Sequence, residues 1–165
     1  MKSVISQIEK WTSLSYQNIL FDSQRDDWKK ESSVFDSIIV KKEKIVIAIE
    51  TTKGIIIGGF LKRKITRTLS RIGDENCFLF TNRNNQLKKY DIKKEKKWES
   101  FQVYPKSDKY LFIFGNDLFV YKQNVNEHSL IQERNAFFQY GRERNVLLGS
   151  IGEFSIERLY VIQMN

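Results

Sequence analysis

Residues 45–60 read Ile-Val-Ile-Ala-Ile-Glu-Thr-Thr-Lys-Gly-Ile-Ile-Ile-Gly-Gly-Phe, and the fold is decided here. β-Branched side chains fill both arms of the stretch, and they fit a pleated surface better than a helical one. Between the arms, Gly54 supplies the positive φ that a tight turn between antiparallel strands demands. Along the first arm Ile45, Ile47 and Ile49 point one way while Val46 and Ala48 point the other, so both faces are apolar. A strand apolar on both faces is covered on both. The stretch therefore predicts a hairpin in mid-sheet with material packed on each side.

Before it, residues 3–14 place Val4, Ile5, Ile8 and Trp11 at helical spacing, which predicts an amphipathic helix with Ser3 as its N-cap. Residues 18–21 form a short apolar strand, ended by the polar loop 22–27. A second helix is expected to begin within 28–33 and to bury Val34, Phe35, Ile38 and Ile39. After the hairpin, 61–72 is basic and weakly patterned and ends in the turn signal Gly73-Asp74-Glu75-Asn76. Residues 77–80 read as a buried strand, 82–85 as a loop, 86–91 as a short strand, and 92–97 as a charged, solvated hairpin tip. Residues 98–104 are extended with mixed faces and stop at Pro105, the sole proline. A second hairpin joins 110–114 to 118–121 through Gly115-Asn116-Asp117. A loop over 122–129 follows, then the weakly patterned stretch 130–148, and 154–164 closes the chain as a strand. Several short strands with two helices predict an α+β, mainly β fold: two antiparallel sheets packed as a sandwich and flanked by helices.

The chain has 165 residues, and a globular domain of this length buries roughly 70% of its unfolded surface, so one domain over 1–165 with a full core is expected. Twelve Phe, seven Tyr and three Trp supply core mass without crosslinks or metals. The single cysteine, Cys77, excludes an intrachain disulfide. With no apolar leader, no glycosylation sequon and no run of ~20 apolar residues, the expected location is cytosolic or nuclear. The formal charge is +8 and is concentrated. Lys62, Arg63, Lys64, Arg67 and Arg71 occur with no acid among them, and 83–97 carries Arg83, Lys88, Lys89, Lys93, Lys94, Lys96 and Lys97 against Asp91 and Glu95.

The order of the pieces resembles the TLDc domain family across nearly the whole chain. Trp11, then Ile19-Leu20-Phe21-Asp22-Ser23 with Asp26, then a helix, then the hairpin ending Gly58-Gly59-Phe60 resemble the first half. Phe78-Leu79-Phe80, the hairpin carrying Gly115, and the closing strand with Glu157 resemble the second. Ile57 stands where the family usually has Phe, and Asp27 where it often has Gly. The resemblance implies a sandwich of two antiparallel sheets flanked by helices and a stand-alone, monomeric interaction domain. It also implies a part in oxidative-stress resistance, with the peripheral part of the vacuolar proton-pumping ATPase as candidate partner. It brings no agreed catalytic residues and no cofactor.

Each chemistry-bearing residue has a plain reading beside its functional one. Cys77 opens an apolar run, where a cysteine acts as a small inert hydrophobe; with His128 it forms the one thiol–imidazole combination available. Asp22, Asp26 and Asp27 miss the calcium-loop register, since Gln24, Asp27 and Ser33 fall at its third, sixth and twelfth positions. Capping and turn-making are their expected work. Gly58-Gly59 lacks a following Gly-Lys-Ser/Thr and reads as a bulge or a close backbone approach, not a phosphate loop. Glu157 matches the family's strand carboxylate, with pairing to a neighbouring Arg or Lys as its plain role. The two basic segments, with Tyr90, Trp98 and Phe101 nearby, have the composition of a nucleic-acid surface, and a solvated, solubilising face is the alternative.

Overall fold

The hairpin forms as its sequence dictates: β2 (Ile45–Thr51) and β3 (Ile56–Leu61) pair antiparallel, Ile45 opposite Leu61 and Glu50 opposite Ile56, around Gly54 at φ +76°. A computed structural model of the chain describes residues 1–133 and 137–165. The hairpin occupies the middle of a six-stranded sheet. Its neighbours are β11 (Ile156–Met164) and β1 (Tyr16–Asp22) on one side, and β4 (Phe78–Thr81) and β5 (Lys88–Asp91) on the other, in the order β1-β11-β2-β3-β4-β5. A second, five-stranded sheet has the order β10-β9-β8-β7-β6, formed by β6 (Phe101–Val103), β7 (Tyr110–Phe114), β8 (Leu118–Tyr121), β9 (Leu130–Ile131) and β10 (Gly152–Glu153). Every ladder in both sheets is antiparallel, so the expected sandwich is the observed one.

The two faces of β2 part as its alternation requires. Ile45, Ile47 and Ile49 join Ile57, Leu61, Phe101, Phe112, Phe114, Leu159 and Val161 in the core between the sheets. Val46 and Ala48 face outward with Ile56, Phe60, Phe78, Phe80, Tyr160 and Ile162, and α1 (Lys2–Thr12) covers them with Val4 and Ile8. Trp11 meets Phe78 edge-on at 5.8 Å, adding an aromatic contact to that outer layer.

Several boundaries differ from expectation. Ser3 does not cap α1; Met1 occupies that position without a side-chain bond, and the helix stops at Thr12 because Ser13 turns left-handed at φ 56° and donates to Glu9 O. The second helix begins later and is shorter, α2 (Phe35–Ile39), since Ser33 Oγ accepts the Phe35 N–H at 3.2 Å and fixes the start. Val34 is consequently exposed, not part of the buried stripe. Residues 92–97 are no hairpin tip: β5 and β6 belong to different sheets, and the segment crosses between them. Ile92, masked in sequence by its charged neighbours, is buried and bridges to Phe138, and a 3-10 helix over Lys94–Glu99 completes the crossing. Cys77 precedes β4 instead of opening it. Part of the weakly patterned stretch, 134–136, lies outside the described residues; after it, Tyr140 Oη donates to Asp117 Oδ2 at 3.1 Å and ties this return to the β7–β8 turn.

Gly58 and Gly59 mark close approaches and not a bulge, since the β2–β3 register runs unbroken through them. A Cβ at Gly59 would lie 2.6 Å from the Phe114 ring of the opposite sheet, and one at Gly58 would collide with the Ile47 carbonyl. At the second hairpin, Gly115 has φ +54° and abuts Phe137, which accounts for a glycine there.

Candidate functional site

Chemistry-bearing side chains gather at two ends of the six-stranded sheet. At the end holding the β2–β3 turn, Asp22 finishes β1 and is buried. Arg158, near the start of β11, donates to it twice, from Nε at 2.9 Å and from Nη2 at 2.6 Å, in a bidentate pair. The Asp22 Oδ1 atom also accepts the Gln24 N–H, and Arg25 Nε lies 3.3 Å from Oδ2. The Arg158 bonds, with that backbone bond, hold the Asp22 carboxyl below its usual range against the opposing effect of burial. Asp26 Oδ2 accepts the Asp22 N–H and Asp27 Oδ1 the Lys29 N–H, so these loop carboxylates act as turn-makers. Ser23 clamps Leu159 through both its N–H and its Oγ. The Asp22 and Ser23 signature thus locks the first strand to the last.

Glu157 is the neighbour of this lock and not a member of it. Ile156 pairs with Thr51 and Arg158 with Glu50, which leaves Glu157 as the extra residue of a β-bulge, exposed and outside every ion pair of the described residues. A bulge re-aims a side chain out of the regular alternation. Sequence singled out Glu157; the paired residue is Arg158, whose partner lies 136 positions away and leaves no local signal.

At the opposite end, the two basic segments converge on Asp74. Its carboxylate is buried and accepts the backbone N–H groups of Lys62, Arg63 and Asn76, while its own N–H donates to Lys97 O and to Ser100 Oγ. The stretch before it lies antiparallel to β6: Leu69 N–H donates to Val103 O, and Ile72 N–H to Phe101 O. Residues 62–74 and 97–103 are therefore joined backbone to backbone. Arg71 pairs with Glu99 at 3.0 Å, Lys97 with Glu75 at 3.4 Å, Lys88 with Glu143 and Lys89 with Asp91. Lys88 and Lys89 stand on the edge strand β5, where charged side chains discourage a foreign strand from pairing. Among the described residues, Lys62, Arg63, Lys64, Arg67, Lys94 and Lys96 have no carboxylate at ion-pair distance. Lys93, within the second segment, lies on the crossing residues, and its N–H donates to Phe137 O.

Cys77 and His128 are not brought together. Cys77 is fully buried; burial, with Asp74 and Asp91 adding to it, pushes its thiol well above the ordinary range, which disfavours the reactive thiolate. His128 is exposed on the loop after β8, and no hydrogen bond joins the two. Lys122 escaped sequence reading. Buried under the 105–110 loop, it donates to the carbonyls of Pro105, Asp108 and Tyr110. Burial draws this ammonium below the usual lysine range, against the opposing pull of Asp108, Asp36 and Glu31. Among the described residues no helix is long and apolar enough to cross a membrane.

A family model described as the TLDc domain matches residues 1–161. A search of curated proteins finds no match.

Proposed function

Because the chain belongs to the TLDc domain family, we propose that it is a non-enzymatic interaction domain, acting as a monomer in the cytosol or nucleus. In this reading it serves oxidative-stress resistance by binding a partner protein, the peripheral part of the vacuolar proton-pumping ATPase. The observation that carries the reading is the family match over residues 1–161, which reaches from α1 into β11 and takes in the Asp22–Arg158 lock. Glu157 is its contact residue: the bulge holds this carboxylate outward beside the bidentate Asp22–Arg158 pair, a placement suited to recognition and superfluous for packing.

Affinity capture from cells with and without peroxide tests this. The expected result is enrichment of pump subunits, lost with Glu157→Lys, and poorer survival in peroxide when the gene is deleted. Repeated capture without pump subunits, together with unchanged peroxide survival on deletion, overturns it.

A further inference from the structure

We propose that the surface assembled around Asp74 binds single-stranded nucleic acid, with Lys62, Arg63, Lys64 and Arg67 on its phosphates and Trp98 as the platform for a base. The proposal is independent of the partner reading above, because it rests on the other end of the sheet.

Three features carry it. The first is how the charge is arranged. An ordinary solvated face pairs acids with its cations, and the acid bonded at Lys62 and Arg63, Asp74, meets their backbone and not their side chains. That carboxylate is buried and turned onto their backbone N–H groups, so it fixes the chain beneath them while leaving the two side chains exposed. Lys64 and Arg67 follow, exposed and likewise without ion pairs among the described residues. Four outward cations over six positions suit the repeating charge of a phosphodiester chain.

The second is Trp98, which is 66% exposed and is the most exposed large hydrophobic side chain described. An indole left in water needs a reason, and its seat is built. At Gly73 a Cβ would come within 3.0 Å of the Trp98 Cα and 3.3 Å of its Cε3, so a glycine is what lets the residue lie down over the turn. Lys97 Nζ stands 4.9 Å from the ring centroid. Because Lys97 Nζ lies over the ring face while paired with Glu75, a base stacks on the indole by taking the place of that ammonium.

The third is continuity. The Asp74 N–H to Lys97 O bond and the Asp74 carboxylate bonds to Lys62 and Arg63 put the cations and the indole on one stitched stretch of backbone, preorganised before any ligand arrives. Single-stranded chains fit better than duplex, because an exposed ring can stack only on a base that is not already stacked on both sides. The lack of a base-reading motif predicts weak sequence preference.

Fluorescence anisotropy of labelled oligothymidylate and oligouridylate with the full chain is the test. We expect binding at low salt with a slope of log K on log[salt] of about −3, from ~0.7 per neutralised phosphate over four contacts. Reversal of Lys62, Arg63, Lys64 and Arg67 to Glu should abolish binding. Trp98→Ala should weaken it roughly ten-fold, with Trp98→Phe restoring most of the loss. Circular dichroism of each variant, and the milder Lys62→Gln with Arg63→Gln, keep misfolding distinct from lost contact. No binding at low salt, or binding indifferent to the four reversals, overturns the proposal. So does equal affinity for polyglutamate, which would mark an unspecific polyanion surface, or tighter binding to phosphatidylserine vesicles, which would make the partner a lipid surface.

Discussion

Asp22 and Arg158 show what a single pair does in this fold. The pair is bidentate, its carboxylate is buried, and it joins positions 136 apart, so it closes the chain's two ends on each other. Arg158→Met should therefore lower the urea unfolding midpoint, because it leaves the buried Asp22 carboxylate without its bidentate partner. The sign of the pH effect follows from the lowered Asp22 carboxyl. Its stabilisation is fully present above the unfolded value of about 3.9 and is lost as pH falls through the folded one. An acid titration of stability should show this loss in the parent and lack it in Asp22→Asn. Lys122 makes the complementary case of a cation held by three carbonyls. Lys122→Met keeps the length but removes the ammonium from these carbonyls, of which Pro105 O keeps the Asp108 N–H, and we expect a loss on the order of 3 kcal/mol, seen as a lower urea midpoint at unchanged slope.

At the scale of elements, the β2–β3 hairpin was legible because a run apolar on both faces, β-branching and Gly54 all point the same way. The Gly58-Gly59 exit was legible only as a need for closeness. The structure adds that the two glycines meet different obstacles. Gly59 faces a ring of the opposite sheet, which a side chain can vacate; Gly58 faces the Ile47 carbonyl as well as the Phe80 ring, and backbone cannot give way. Gly59→Ala should destabilise by about 1–3 kcal/mol, the usual cost of overpacking, and Phe114→Leu added to it should recover part of the loss. Gly58→Ala should cost more than Gly59→Ala, and Phe80→Leu should not rescue it. Equal costs, or rescue in both pairs, would contradict this account of the sheet contact. The α2 start and the 92–97 crossing were illegible for a different reason. A serine turn at Ser33 and one buried isoleucine in a charged run leave no periodic trace.

Across the whole molecule, composition revealed that charge was concentrated but not that its two segments are adjacent, because the Asp74 bonds that join them span 11 and 12 residues on one side and 26 on the other. For the same reason sequence pointed to Glu157 and missed Arg158. The long-range pairings place the two candidate faces at opposite ends of β2: Glu157 lies level with Glu50 and Thr51, whereas Lys62 leaves β3 just beyond the Ile45–Leu61 pair. Seven residues of strand separate them, roughly 20 Å at ~3.3 Å per residue. At that distance, with no shared partner, the faces should be energetically independent. The stability changes of Glu157→Lys and of the paired Lys62→Glu and Arg63→Glu substitutions should therefore add to within about 0.5 kcal/mol in the combined variant. The binding readouts should part as cleanly, with partner capture following the Glu157 substitution and oligonucleotide affinity the Lys62 and Arg63 substitutions. A measured coupling well above that limit would mean that strain passes along β2 and β3 from one end to the other, and the two faces would then have to be treated as one site.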